Sequence, residues 1–363
     1  MKILILCDVL FPQTTGGAGR VARELALAIR DRGTEVRFLT RRVPDKAADE
    51  GIPTTYLPKP GTSFPSQFRR AFRRTAADFK PDIIHVHQPL PAWLSIPPES
   101  SCPIVYTFHS SWPEELKVKA SPWPAAVRRL CSVVLANIEA SVIHRAAAVT
   151  VLSEFSSREV KRLYRREAEV IPGGVDTGHF RPSGVPPAGS IKLITLRNLV
   201  PRMGLRQLVR AMPLLPAEVH LDIGGEGPLR GELRALIQSL KLDTRVRLRG
   251  HIPDSELPGF YSSGHWFVLP TAALEGFGLV ILESLACGTP VLGTRVGAIP
   301  ELLQRFNSAW LIERSTPDAI AGTIRSALDQ PGPEREELHR RIEAEFGWKI
   351  IAAQYQRLFD GLL

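Results

Sequence analysis

Two glutamates with seven residues between them, Glu275 and Glu283, bracket Gly276-Phe-Gly-Leu-Val-Ile-Leu282, a short stretch that begins with glycines and turns apolar. Paired carboxylates at a fixed spacing can act as general acid and base, or can hold hydroxyl groups as acceptors. The run His265-Trp-Phe-Val-Leu-Pro270 just upstream reads as a buried strand, which places Glu275 on that strand's exit loop. Gly276 and Gly278 allow a close backbone approach to whatever binds there. A helix that begins near Gly278 turns its free amides and positive dipole end toward the same loop, which favours an anion. Glu283 then lies inside that helix.

Other residues could join this chemistry. Arg197-Asn-Leu-Val-Pro-Arg-Met-Gly204 follows an apolar run and offers two guanidinium groups, which suit phosphate oxygens. Gly16-Gly-Ala-Gly19 lies where dinucleotide folds hold a pyrophosphate, but the spacing is not G-x-G-x-x-G and no acid ends the second strand, so a nicotinamide enzyme is disfavoured. Gly224-Gly-Glu-Gly-Pro228 reads as a tight strand-to-helix corner. His85, His87 and His109 all fall near strand ends, yet no clustered acids, HExxH or Asp-x-Asp accompany them, so no metal is expected. His85 and His87 read as satisfied core histidines, and His109 as facing an interdomain cleft.

The elements that must position these groups alternate between strand-like and helical patterns, the mark of parallel βαβ units. Strands are predicted over 2–8, 35–40, 82–87, 103–108, 147–152 and 169–171, and again over 191–196, 219–223, 245–249, 266–269, 290–293 and 309–312. Val21, Leu25 and Ile29 mark one helix, which Gly33 stops. Leu229, Leu233, Leu236, Ile237 and Leu240 mark another, and Ile351, Tyr355, Leu358 and Phe359 the last. The fold class is therefore α/β, with two doubly wound parallel-sheet domains facing across a cleft. The Pro- and Gly-rich stretch 181–189 reads as the linker between a first domain over 1–180 and a second over 190–347.

With 363 residues, 44% hydrophobic and 23% charged, the chain has ordinary globular composition. Its net charge of +9 favours acidic partners. Cys7, Cys102, Cys131 and Cys287 form no paired motif and read as reduced residues of a cytoplasmic protein. The apolar start is too short for a signal-peptide core, and no run approaches the roughly 20 apolar residues a spanning helix needs. No stacking module accompanies the charge, so nucleic acid is not expected as a partner.

The order Gly16-Gly-Ala-Gly, His109, Gly173-Gly-Val-Asp176 with Phe180, Leu199-Val-Pro-Arg-Met-Gly204 and Glu275-x7-Glu283 resembles the retaining nucleotide-sugar glycosyltransferases of family four, which have the GT-B fold. Phe346-Gly-Trp348 resembles the family's terminus, where the last helix, 348–363 here, crosses back onto the first domain. The resemblance implies that Glu283 bonds the ribose of the donor and Glu275 the hydroxyls of its sugar. The backbone of Gly276, Phe277, Gly278 and Leu279 would lie beside sugar and diphosphate. Gly16 and Gly17 would cover the diphosphate, His109 would approach the reacting centre, and Arg202 or Arg197 would neutralise the leaving group.

The chain departs from the family at one place. An Arg followed five residues later by Lys-Gly is common there, but here Asn198 and Met203-Gly204 occupy those positions, with arginines one residue earlier at 197 and 202. Neighbouring strand residues face opposite ways, so Arg202, in a loop, is the arginine expected to turn inward. The family also implies sugar transfer with retention, no metal and no cofactor. The donor is expected to be a UDP-sugar ahead of a GDP-sugar, and the acceptor a hydroxyl in envelope glycan, glycolipid or small-molecule glycoside synthesis. The alternatives are a nucleotide-sugar 2-epimerase of the same fold and a non-catalytic partner subunit that binds a nucleotide-sugar. Arg69, Arg70, Arg73 and Arg74, on an amphipathic stretch over 64–74 with Phe68 and Phe72 one turn apart, give a face for peripheral contact with the anionic inner membrane surface.

Overall fold

The apolar run at the start of the chain forms β1 (Lys2–Leu6), whose alternate residues feed two different cores. Ile3 and Ile5 pack with Ala22, Leu25 and Ile29 of the helix Gly17–Arg30, whereas Leu4 and Leu6 pack with Phe68, Phe72 and Val142. A strand apolar on both sides belongs in a parallel sheet covered by helices on both faces. The computed structural model describes all residues except 12–15, 42–50, 58–64, 119–123, 185, 187, 188 and 331.

The chain forms two units, Met1–Gly174 with Trp348–Leu363, and Val175–Gly347. In the first, β2 (Glu35–Arg41), β3 (Thr54–Leu57), β4 (Ile83–Val86), β5 (Ile104–Phe108), β6 (Ala148–Val151) and β7 (Glu169–Val170) join β1 in the order β3-β2-β1-β4-β5-β6-β7. In the second, β8 (Ile191–Leu196), β9 (Val219–Gly224), β10 (Val246–Gly250), β11 (Trp266–Leu269), β12 (Val291–Thr294) and β13 (Leu311–Ile312) run β10-β9-β8-β11-β12-β13. All paired strands are parallel. Strand order reverses between β1 and β4 in one sheet and between β8 and β11 in the other. Ligands of doubly wound sheets bind outside the carboxyl ends of strands at such reversals.

Most predicted strands form within a residue or two of their expected ends. β3 was not expected: it is short, follows Pro53 and lies at the sheet edge, where a proline is tolerated. The start of the 309–312 prediction is instead a 3-10 turn, Ser308–Trp310. Residues 181–189 belong to the second unit, and the chain crosses between units at Gly174–Val175 and Gly347–Trp348. Ser183 ties that stretch down, its amide donating to Ser262 Oγ at 3.0 Å. Val185, Pro187 and Ala188 lie outside the described residues. The helix Trp348–Asp360 is part of the first unit, with Ile351, Tyr355 and Phe359 in the same core as Ile3 and Ile5.

Glu139, on the helix Ala125–Arg145, is a fully buried carboxyl that fastens the segment after β5. It accepts from the Trp112 amide at 3.3 Å, from the Tyr106 hydroxyl at 3.4 Å and from the Tyr164 hydroxyl. Burial outweighs these donors and pushes its pKa from 4.5 up to about 7. A carboxyl raised on folding holds its proton more tightly in the folded state, so stability is greatest below about pH 4.5 and falls as pH rises through about 7. The loss is roughly 3 kcal/mol at the usual conversion of pKa to free energy. Glu139→Gln is expected to flatten urea-unfolding stability between these pH values; an unchanged slope would assign the pH dependence elsewhere.

Candidate active site

In the second unit the groups singled out by type and spacing come together at the β8/β11 reversal. β8 ends at Leu196, and the next residue, Arg197, stays in the ladder through its amide bond to Gly224 O at 3.0 Å. Its buried side chain turns to the loop after β11, where Nη2 donates to Glu275 Oε2 at 2.6 Å. Nη2 also reaches Thr271 Oγ1 at 3.4 Å, and Nε lies 3.2 Å from the thioether sulfur of Met203. Arg197 is therefore the arginine that turns inward to the glutamate, contrary to the expectation from strand alternation. It sits one residue past the end of β8, and its contacts with Glu275, Thr271 and Met203 set its direction. The neighbouring Asn198 is exposed.

Arg202 serves the same loop differently. Its Nη1 donates to Leu274 O at 2.5 Å, and its own carbonyl accepts from the Ala272 amide at 2.8 Å. The loop between β8 and the helix Leu205–Ala211 is thereby stitched to the loop that carries Glu275. Gly204 makes this approach feasible: at φ +71°, a β-carbon there would sit 1.8 Å from Pro270 O. Gly225, at φ +112°, does the same on the other side, since its β-carbon would lie 2.0 Å from Arg197 O. The Gly224–Pro228 corner is thus a packing device.

Glu283 lies on the helix Leu279–Ala286, which starts directly after Gly278. It is buried, and its Oε2 accepts from the Tyr261 hydroxyl at 2.6 Å. Phe180 packs edge-on against Tyr261 with ring centroids 6.0 Å apart. The Gly173-Gly-Val-Asp176 motif feeds this support: Asp176 Oδ1 accepts from the Gly178 and His179 amides at 3.0 and 3.1 Å, making the turn that delivers Phe180. Of the loop residues, Phe277 and Gly278 are buried, and Gly276 and Leu279 are half-buried.

In the first unit, Gly16 and Gly17 are exposed at the start of the helix Gly17–Arg30. The four residues before Gly16 lie outside the described residues. His109 follows β5, half-buried, with Nε2 3.0 Å from His87 Nδ1. Burial lowers its pKa to about 4, so the ring is neutral near pH 7. His85 and His87 are buried as expected but not satisfied: His85 Nδ1 and His87 Nε2 have no hydrogen-bond partner among the described residues. The signal for this grouping was available in the i, i+2 spacing of His85, His87 and of Thr107, His109, which places each pair on one sheet face.

A family profile described as "Glycosyltransferase Family 4" matches residues 15–179, and one described as "Glycosyl transferases group 1" matches residues 177–345. The chain belongs to the GT-B glycosyltransferases. Among relatives of this glycosyltransferase, a phosphatidylinositol N-acetylglucosaminyltransferase subunit of Arabidopsis thaliana is 31% identical over 53% of the chain and 44% of the relative. The alignment thus spans under half the length of that protein. Phosphatidyl-myo-inositol mannosyltransferase of Mycolicibacterium smegmatis is 26% identical over 99% of the chain and 94% of its own length. Among solved structures, sucrose-phosphate synthase from Thermosynechococcus elongatus superposes with TM-score 0.84 at 23% identity over 99% of the chain and 98% of its own. HepE from Anabaena in complex with UDP and glucose gives 0.76 at 19%, over 99% and 100%. At these identities the structural likeness speaks to the fold.

The helix Pro65–Phe79 exposes Arg69, Arg70, Arg73 and Arg74, with Arg73 paired to Glu99 at 2.8 Å. Phe68 and Phe72 are buried in the first unit's core, so the face this helix offers is charged without an apolar wedge; Phe64 lies outside the described residues. Among the described residues, no helix is long and apolar enough to cross a membrane, and no group of three or more His, Cys, Asp or Glu is arranged to hold a metal ion.

The Arg197–Glu275 pair gives a test of its own, because both side chains are largely withdrawn from water, 6% and 13% exposed. Arg197→Met leaves a carboxylate buried without its cation and is expected to destabilise the second unit by roughly 3 kcal/mol. Adding Glu275→Gln should restore much of that loss, read as recovery of the urea midpoint in the double variant. Additive losses would show that the pair is not coupled.

Proposed function

We propose that this protein is a retaining hexosyltransferase that moves a sugar from a nucleoside diphosphate donor, UDP-sugar ahead of GDP-sugar, to a hydroxyl of an inositol-bearing phosphate or phospholipid. The observation that carries the reading is the set of groups at the β8/β11 reversal of the second unit. Glu275 is held by Arg197, the Arg202 loop is stitched to the Glu275 loop, and Glu283 lies on the following helix beside Tyr261. In this reading Glu275 binds hydroxyls of the transferred sugar and Glu283 the ribose. The Gly276–Leu279 backbone and the helix start receive sugar and diphosphate.

The chemistry follows from which cations are committed. Arg197 spends its charge on Glu275 and orients that carboxylate. Arg202 uses Nη1 on Leu274 O, and the other N–H donors of its guanidinium fork can meet the leaving diphosphate. Stabilising a leaving group by one such cation is worth on the order of a hundredfold or more in rate. With no side chain singled out as a covalent nucleophile among the described residues, the acceptor hydroxyl attacks on the face the diphosphate leaves, and a phosphate oxygen takes its proton. No metal is assigned a part.

The acceptor assignment leans on relatives. The Arabidopsis and Mycolicibacterium proteins are named for phosphatidylinositol substrates, and a Jonesia denitrificans relative, 27% identical, is named D-inositol 3-phosphate glycosyltransferase. A net charge of +9 suits an anionic acceptor, and the exposed arginines of the helix Pro65–Phe79 suit an anionic membrane surface on the cytoplasmic side. A second reading, a non-catalytic nucleotide-sugar-binding subunit, is favoured by one observation. Met203, a thioether where the family commonly has lysine, lies against Arg197.

Thermal-shift screening with UDP-, GDP- and ADP-sugars, followed by transfer assays to inositol phosphates and phosphatidylinositol, separates the two readings. Stabilisation with transfer supports the enzyme, stabilisation without turnover the binding subunit, and no stabilisation by any donor rejects both. Glu283→Ala is expected to weaken donor binding about tenfold or more, the worth of a charged hydrogen bond. Glu275→Ala should mainly lower kcat. Kinetics unchanged in both variants would move the site elsewhere.

A further inference from the structure

The histidines of the first unit form part of a polar seam that a role for His109 alone leaves unexplained. β4 and β5 are parallel neighbours, and alternation along each turns His85, His87, Thr107 and His109 to the face that also holds Thr150 and Tyr355. Thr107 Oγ1 lies 2.7 Å from His85 Nε2, 2.7 Å from Thr150 Oγ1 and 3.2 Å from the Tyr355 hydroxyl. The His87 ring sits 4.4 Å from that of His85 and is roughly stacked on that of His109 at 5.3 Å. His87 Nδ1 and His109 Nε2, 3.0 Å apart, share one hydrogen bond.

That bond can run in either direction, and the two directions differ in what is left buried. Desolvation lowers both pKa values, His87 well below the usual range and His109 to about 4, so each ring carries one proton near pH 7. If His109 Nε2–H donated, the proton of His87 would have to sit on Nε2, which is buried and has no partner among the described residues. A buried N–H without an acceptor is rare, because it loses its water with nothing in exchange. If His87 Nδ1–H donates instead, the orphaned atom is only a lone pair, and the single proton of His109 moves to Nδ1. That nitrogen has no hydrogen-bond partner in the structure's described part.

We propose that His87 is a positioning residue that holds His109 in the Nδ1–H tautomer, so that His109 meets the donor as a neutral hydrogen-bond donor to a sugar hydroxyl or phosphate oxygen. The inference rests on the reading of His109 as a donor-site residue and gives that residue a direction. His109 donates a hydrogen bond; it does not take a proton from the acceptor. His87, held between β4, the tilted His85 ring and the amide bond from its own backbone to Leu6 O at 2.9 Å, supplies the constraint.

Long-range proton–nitrogen NMR of the full chain labelled with nitrogen-15 histidine reads the tautomer without any substrate. Wild-type protein is expected to show His109 protonated at Nδ1 and bare at Nε2, assigned by the loss of its signals in His109→Gln; the reverse pattern overturns the proposal. His87→Asn, whose amide can still donate near the former Nδ1, should keep the tautomer and stay within about threefold of wild-type kcat. His87→Leu should release the tautomer into a mixture and lower kcat about tenfold, with the Kd for donor nucleotide unchanged. A His109 tautomer that does not move in His87→Leu also overturns it. Because the NMR readout needs no turnover, absence of transfer with every donor counts against the proposed function and leaves the tautomer assignment to be decided on its own.

Discussion

The second unit is organised by one desolvated ion pair. Arg197 and Glu275 are both largely removed from water, and charges so placed persist only when each has a partner with good geometry. Meeting at 2.6 Å forces two loops from different strands into contact, and the backbone accommodates this through residues that tolerate crowding. Gly204 lies against Pro270 O, Gly225 against Arg197 O, and Arg202 closes the remaining gap through Leu274 O and the Ala272 amide. With the Glu275 loop fixed in this way, the helix that carries Glu283 begins at a set place, and Tyr261 and Phe180 brace its buried carboxylate from behind. As the proposed donor site, this arrangement depends little on side-chain rotamers that a ligand would have to order, which lowers the entropic cost of binding.

The first unit meets a related problem without charges. Its seam of histidine, threonine and tyrosine lies under the helix Trp348–Asp360, where Tyr355 closes the inner end through Thr107 and Thr150. Low pKa values keep the rings neutral, so no counter-ion is required, and the seam is stabilised by hydrogen bonds and ring contacts alone. His85 Nδ1 and His87 Nε2 have no partner among the described residues, which a core built for stability alone would not retain. In the proposed role of His87, the arrangement of His109 is the compensation for that cost.

Much of this was legible in the residues, and the part that was not has physical reasons. Parallel strands buried on both faces declare themselves as short apolar runs, so both sheets followed from the chain, apart from β3, whose threonines after Pro53 carry little apolar signal. Glu275 and Glu283 stood out by spacing, since a strand exit and the helix after it keep sequence neighbours together in space. The partner of Glu275 did not, because Arg197 is 78 residues away and its direction is set by the end of β8. Alternation along the strand predicted the wrong face for it, because the carboxylate and thioether that draw the guanidinium lie far along the chain. Alternation does place His85 with His87 and Thr107 with His109, although His87 and His109 each lie one residue past β4 and β5, and only the register of the two strands shows which nitrogens meet.

The displaced cations give the site its distinctive balance. A resemblance that expects a basic pair five residues apart finds both arginines shifted by one, and the shift separates their work. Arg197, at a strand end, is drawn under the loop by Glu275 and by the polarisable sulfur of Met203, a weak acceptor that tolerates a guanidinium where a lysine would repel it. Lysine at 203 would place a second cation beside Arg197 and compete for the same carboxylate, so Met203 and Arg197 are better understood as one change than as two losses. Under the proposed function, the positive charge available to a diphosphate then comes from Arg202 and the helix start at Gly278, both tied to the loop that Arg197 holds in place. On that reading, weakening the Arg197–Glu275 pair loosens the recognition of sugar and the neutralisation of the leaving group together, although Arg197 itself need touch neither.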